Sequence, residues 1–304
     1  MLILSRRDVE ACLDPRALLD AVGAAMQALS AGEVQAPPRS GVQLEAGALL
    51  TMPGHRAGGP IVVKLVGVFN GNVALGLEAH QAVICLFDAS TGRCLALMDG
   101  EHITALRTAA AAALAVRALA RPDARTLAIV GSGVQARAHL RMLPLVRDFA
   151  DVRLVAREPG AAECLGVAAA DAPGDADVIC LTTSAPEPVL RAADVAPGTH
   201  VSSVGFAPPR GELDPALAAA GRLVVESRTA AFASPPAGCG ELAGLEPSRA
   251  LELGEVLSGG VVARENDAQI TVYKAMGHVA EDAAAAELAY RAALDAGLGT
   301  ETEL

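Results

Sequence analysis

Three cations stand among neighbours that disfavour charge. Arg39 follows the diproline of APPR at 36–39, Lys64 lies inside IVVKLV, and Arg107 lies inside ITALRTAAAAA. A charge buried in such a segment is expensive unless it is paired. Taken singly, Lys64 fits the solvent face of a strand and Arg107 the outer stripe of a helix. Taken together, they describe a pocket for a small anion. Two guanidinium groups fix a carboxylate in orientation. A partly desolvated lysine beside two arginines has its pKa lowered and can exchange a proton. His102 and His278 read as surface or capping residues near helix starts, and His139 as a helix-surface residue. No His, Asp, Glu or Cys set has metal-ligand spacing. Ser132, inside Gly-Ser-Gly, lacks the G-x-S-x-G pattern of a nucleophile elbow.

A second stretch, TLAIVGSGVQARAHLRML at 126–143, carries a different chemistry. A short apolar run, a glycine break and a helical spacing of apolar residues follow one another, as a strand, a turn and a helix. The pattern Gly131-x-Gly133-x-x-Ala136 is the alanine-ended dinucleotide fingerprint. Gly131 makes the tight turn, Gly133 lets a pyrophosphate approach the backbone, and Ala136 lets helix and strand pack closely. The helix start then offers N–H groups to the phosphates. An ordinary βα turn is the competing reading of the motif alone. The next strand ends Leu-Val-Ala-Arg, with Ala156 where an acid would hold the ribose of NAD and Arg157 beside it. That pair favours NADP(H), with NAD(H) still possible. Glu158 complicates the reading, and a solvated surface Arg157 is the alternative.

The elements that must position these residues are legible in outline. The 304 residues suggest one large domain or two of usual size. Hydrophobic residues are 52% and aromatics only 2%, with no Trp, so the core is aliphatic and stacking platforms for single-stranded nucleic acid are excluded. A net charge of −11 argues against binding to nucleic acid or an anionic membrane. The six scattered cysteines contain no C-x-x-C, and Cys85, Cys94 and Cys180 read as core thiols. The N-terminus is neither signal peptide nor membrane span, which makes a cytoplasmic location the default. Residues 5–29 read as helical, with Asp14-Pro15 opening a second helix. Short strands separated by Gly, Pro and Asn fill 41–97 as an antiparallel or mixed sheet, with a hairpin turn at 89–93. A long alanine-rich helix spans 101–120. Strands at 126–130, 152–156, 178–182, 200–204 and 222–226 alternate with helices, which implies a doubly wound parallel sheet. The connection after Arg157 has only about twenty residues, barely a crossover, so that side is trimmed. A loop-rich stretch follows Glu226, then a last strand, QITVYKAMG, a last helix, and a frayed ETEL.

The chain resembles the ornithine cyclodeaminase/mu-crystallin family nearly end to end. The matching residues are Arg39 after prolines, Met-Pro-Gly at 52–54, Lys64, TGRCLALMDG ending at Gly100, ITALRT at 103–108, GSGVQA at 131–136, Asp-Ala-Asp-Val-Ile at 175–179, Val-Gly at 204–205, Glu-Leu-Asp at 212–214 and YKAMG at 273–277. The resemblance implies an α/β fold: a Rossmann NAD(P)-binding domain at 116–274, and a discontinuous α+β substrate-binding and dimerisation domain made of 1–115 and 275–304. It implies NAD(P)(H) chemistry on α-amino or α-imino acids, in a homodimer. Arg39, Lys64 and Arg107 become the catalytic set, with Met52 beside them in substrate binding. Thr108, Gly131, Gly133, Val134, Gln135, Ala136, Arg157, Thr182 and Lys274 become the cofactor-binding set.

Two positions depart from the cyclodeaminating members. Ala207 stands where those members carry a catalytic aspartate after Val-Gly, in a loop one residue shorter, and Glu212 and Asp214 lie too far along to replace it. The segment at 48–54 also lacks the acid that holds a distal ammonium. Cyclisation of a diamino acid needs both; reduction of a preformed C=N bond needs neither. The expectation is therefore a reductase of a cyclic ketimine or α-imino acid, such as Δ1-pyrroline-2-carboxylate. Ornithine cyclodeaminase, an alanine dehydrogenase-like enzyme and a non-catalytic crystallin-like protein are the alternatives.

Overall fold

The computed structural model describes residues 1–205, 207, 210–234 and 237–303, apart from the side chains of residues 70 and 73. The chain forms two compact units, Met1–Arg107 with His278–Leu304, and Thr108–Gly277.

The first unit is a mixed sheet backed by helices. Its strands run in the order Thr300–Glu301, Leu2–Leu4, Cys94–Asp99, His80–Phe87, Ile61–Val68, Gly47–Arg56 and Val34–Gln35, and Ser40–Leu44 also pairs with Gly47–Arg56. Leu2–Leu4 runs parallel to Cys94–Asp99; the other pairings are antiparallel. Burial alternates along the strands, so one face holds Leu50, Met52, Val62, Val66, Ile84 and Met98. The helices Arg6–Cys12, Pro15–Ser30 and Val279–Ala296 start on the caps the sequence offers. Ser5 makes a capping box with Asp8, Asp14 accepts from Arg16 and Ala17, and His278 Nδ1 accepts from Ala280.

At the chain ends, residues 2–4 form a strand that the sequence did not announce, and one expectation needs correction: ETEL is not frayed throughout. Glu301 pairs with Leu2, and Thr302 N–H donates to the Met1 carbonyl. The backbone bonds of this edge outweigh the terminal position. Leu304 lies outside the described residues.

The second unit is a fully parallel sheet, ordered Ala168–Ala169, Asp151–Val155, Thr126–Val130, Val178–Leu181, His200–Ser203, Thr271–Lys274, Arg222–Val225 and Leu251–Glu252. The chain leaves Thr126–Val130 to one side and returns on its other side at Val178–Leu181. The switch point therefore lies at the C-terminal end of the fingerprint strand. The trimmed crossover holds only the one-turn helix Ala161–Cys164 and a two-residue strand. Cys180 is core, but Cys85 and Cys94 are only half-buried. Among the described residues no helix is long and apolar enough to cross a membrane.

Candidate active site

In the second unit the fingerprint turn is built as its residue types demand, each glycine for a different reason. Gly131 has φ +114°, and a Cβ there would lie 2.8 Å from Thr182 Oγ1 and 2.9 Å from the Thr182 carbonyl. The neighbouring strand imposes this glycine: Thr182 donates both its N–H and its hydroxyl to the Val130 carbonyl, each at 2.9 Å. Gly133 differs. It ends the turn as the N-cap of the helix Val134–Met142, and among the described residues beyond its chain neighbours none comes within 4 Å of a Cβ placed there. The space it leaves is open, which is what a pyrophosphate approaching the helix start requires. Val134 is 47% exposed beside it, and Ala136 is fully buried against the sheet. The Gln135 side-chain oxygen is buried with no partner among the described residues. These residues fit a dinucleotide, and a bound nicotinamide would supply hydride chemistry. Thr108 and Thr182 are buried, and Arg157 is exposed just past Asp151–Val155.

Lys274 is a correction. Its side chain is fully buried, with Nζ donating to Gly205 O at 2.7 Å, Glu241 Oε1 at 3.1 Å and Ser203 Oγ at 3.2 Å. An ammonium has three donors, and all are engaged inside the unit, so Lys274 braces the Gly205 loop and does not reach a ligand. His139 is also corrected. It is buried in the helix Val134–Met142, its Nδ1 lies 2.8 Å from the Gln135 carbonyl, and burial lowers its pKa to about 4.

Ala207 is buried and bridges to Arg210. Phe206, Pro208 and Pro209, and with them the length of that loop, lie outside the described residues. Glu212 is fully committed: Oε1 accepts from Gly205 N–H and the Ser203 hydroxyl, Oε2 from Thr183 N–H and its hydroxyl. Asp214 caps the helix Pro215–Ala220 and accepts from Ala192 N–H.

In the first unit the expected cations converge. Met52, Lys64 and Ile84 face one another across three strands, with Met98 next in the row, so Lys64 interrupts an apolar row and is only 2% exposed. Its partner comes from the far end of the chain. The helix Val279–Ala296 buries Val279, Asp282, Ala286, Ala289 and Ala293, one stripe at three- and four-residue spacing. It lies close because Gly54 is bare; a Cβ there would sit 2.7 Å from Val279. Asp282 Oδ1 accepts from Lys64 Nζ at 3.1 Å and from Arg107 Nε at 2.8 Å, and Glu281 Oε2 accepts from Arg107 Nη1 at 2.6 Å. Arg107, Glu281 and Asp282 are all buried.

Burial lowers the Lys64 pKa and Asp282 raises it. Arg107 and Arg39 lower it again, leaving a value of about 8. Burial alone would raise the Asp282 carboxyl, but Arg107 and Lys64 hold it below the usual carboxylate range. Arg39 is half-buried, and His80, exposed at the end of its strand on the same sheet face, has its pKa lowered by partial desolvation of the ring and then by Lys64. The site therefore presents an ammonium of lowered pKa beside a fixed guanidinium, with a second arginine near. Among the described residues no group of three or more His, Cys, Asp or Glu could hold a metal ion.

Glu281 and Asp282 were not expected at the site. Acids in the first turn of an alanine-rich helix read as partners of its dipole. The signal that identifies Asp282 is its place in the apolar stripe, three residues after Val279 and four before Ala286.

Comparison with known proteins identifies the family. The model of the ornithine cyclodeaminase/mu-crystallin family matches residues 1–297. The ketimine reductase mu-crystallin of Mus musculus is 37% identical over 275 residues, 85% of this chain and 85% of that protein. The Δ1-pyrroline-2-carboxylate reductase of Thermococcus litoralis, solved with NADH and L-proline, superposes with a TM-score of 0.91 at 32% identity, covering 99% of this chain and 100% of that one. An archaeal alanine dehydrogenase dimer with bound NAD gives a TM-score of 0.89 at 30% identity, covering 100% and 99%. The chain thus belongs to the ornithine cyclodeaminase/mu-crystallin family, as an NAD(P)-dependent oxidoreductase.

Proposed function

We propose that this protein reduces the C=N bond of a small cyclic ketimine or α-imino acid, Δ1-pyrroline-2-carboxylate to proline being the representative case. The observation that carries the reading is the buried set of Arg107, Lys64 and Asp282, with Arg39 nearby, in a chain that has Ala207 and no uncommitted acid at 212 or 214. Arg39 and Arg107 grip the carboxylate and aim the α-carbon, with Met52 against the substrate beside Lys64. A dihydronicotinamide, when bound, would supply the hydride for that carbon. Lys64 gives a proton to the nitrogen, so the C=N double bond becomes a C–H and an N–H bond. Glu212 and Asp214 already hold backbone and hydroxyl donors, so neither is set to act as the base that deamination of a diamino acid requires.

Gly131, Gly133, Val134, Gln135 and Ala136, together with Thr108 and Thr182, would hold the dinucleotide. Ala156 removes the usual ribose acid and Arg157 offers a charge for a 2′-phosphate, which favours NADP(H). A homodimer is supported by the outward side of the first sheet, where Leu49, Val83 and Ile3 stand exposed, flanked by Val42 and Leu44.

The test follows NADPH and NADH absorbance with Δ1-pyrroline-2-carboxylate and with pyruvate plus ammonia, while ammonia release from ornithine is assayed in parallel. The expected result is oxidation of NADPH driven by the cyclic imine. Ammonia released from ornithine without net cofactor turnover would overturn the reading.

A further inference from the structure

We propose that Asp282 is the positioning residue of this site: one carboxylate oxygen holds Lys64 and Arg107 together, and so sets the spacing of the proton donor and the carboxylate grip. The inference rests on the reductase reading above.

The two cations come from unrelated elements, the strand Ile61–Val68 and the helix Gly100–Leu119. Both donate to Asp282 Oδ1, which keeps their nitrogens within about 6 Å of each other. Like charges that close in the interior repel and would separate without an anion between them. The guanidinium of Arg107 is fixed in its plane as well, since Nε is bound by Asp282 and Nη1 by Glu281. The second oxygen of Asp282 is buried with no partner among the described residues. An acid kept half-satisfied in the interior is unfavourable for folding alone. Its retention fits a functional demand.

Asp282→Asn, made in the full chain, is assayed for imine reduction across pH 5.5–10, with thermal melting as the folding control. The expected result is a KM for Δ1-pyrroline-2-carboxylate raised about tenfold or more. The alkaline limb of kcat/KM should also move down by about one pH unit or more, because Lys64 has lost the anion that kept it protonated. A purely structural role would lower the melting temperature and leave the limb in place. Asp282→Glu keeps the charge but lengthens its reach; it should retain the limb and raise KM, and it decides the matter if Asp282→Asn does not fold. Wild-type KM and an unmoved limb in the folded variants would overturn the proposal.

If the wild type reduces no imino acid, the functional reading fails, and the claim about Asp282 is judged from the pH dependence of unfolding. Lys64 binds its proton less tightly in the folded chain, so stability rises as pH climbs from about 8 toward 10.5. Asp282→Asn, or Asp282→Gln where that variant alone folds, should start this rise at lower pH. An unchanged onset would overturn the claim.

Discussion

Two lysines lie buried in the two units of this protein, one 2% exposed and the other fully covered, and their chemistry diverges. Burial pulls both pKa values down. Around Lys274 it is outweighed by Cys239, Glu241 and Glu212, and the result is raised above the ordinary lysine value. Around Lys64 the single acid in contact, Asp282, is shared with Arg107, and the result falls to about 8. Among the described residues Lys274 has three acceptors for three protons, and Lys64 has one acceptor that it does not own. Depth therefore does not distinguish a structural ammonium from a reactive one. The number of acceptors and the company of other cations do.

The largest effect should come from Arg107, the competitor for that shared oxygen. Arg107→Ala leaves Glu281 and Asp282 buried with a lost partner, which costs about 3–5 kcal/mol of stability. It should also lower kcat/KM for the imino acid about a thousandfold, through the loss of a charged, oriented contact. Denaturant titration and steady-state kinetics read the two separately. A rate within tenfold of wild type would mean that the carboxylate is gripped elsewhere.

Substituting the two lysines themselves tests the contrast directly. Lys274→Met strands Glu241, which is 5% exposed, and should cost about 3–5 kcal/mol in urea unfolding. Lys64→Met leaves Asp282 paired with Arg107 and should cost less than about 2 kcal/mol, yet reduce kcat about a hundredfold. Equal stability losses would break the comparison.

The same contrast explains what was legible in the sequence. Arg39, Lys64 and Arg107 are visible because charges in apolar or small-residue runs are conspicuous, and the glycine turn because its strand and helix flank it at short range. Five strands of the parallel sheet are local apolar runs and form within one residue of the expected positions, whereas Thr271–Lys274 is shorter than the expected QITVYKAMG, and Ala168–Ala169 and Leu251–Glu252 were not expected. What was hidden depends on chain folding over long distances. Asp282 meets Lys64 across 218 residues of sequence, and its own neighbourhood, AEDAAAA, reads as a solvated helix start. Lys274 fails as a cofactor ligand for the same reason: nothing near it in sequence announces Glu241. His139 sits on a short helix whose covered side only the sheet defines. Gly131 and Gly133 look alike in the motif. Only the structure separates the one imposed by Thr182 from the one that leaves space.

The pH dependence sharpens the contrast with a smaller effect. On the proposed mechanism Lys64 gives its proton in the reductive direction, so kcat/KM should fall as pH rises through about 8, while oxidation of the cyclic amino acid should rise over the same range. Lys274 titrates above its ordinary value and contributes no limb there. Profiles in both directions, with Lys64→Met expected to remove the limb, check the assignment. A limb that survives in Lys64→Met belongs to another group.

Arg157 extends the comparison to a cation that is not buried at all. It stands exposed after Asp151–Val155, and the residue before it, Ala156, offers no acid. A charge in that position gains little until a dianionic 2′-phosphate arrives, and what it gains is screened by salt. Arg157→Ala should therefore raise the KM for NADPH about tenfold, leave the KM for NADH within twofold, and leave stability within about 0.5 kcal/mol. The NADPH effect should shrink between 20 mM and 500 mM salt, on the order of threefold, because the Debye length contracts from about 20 Å to about 4 Å. No such salt dependence is expected at Asp282 or Glu241, where the ion pairs are closed to solvent. If Arg157→Ala shifted both cofactors equally, the arginine would be acting on the shared pyrophosphate and Ala156 would no longer argue for NADP.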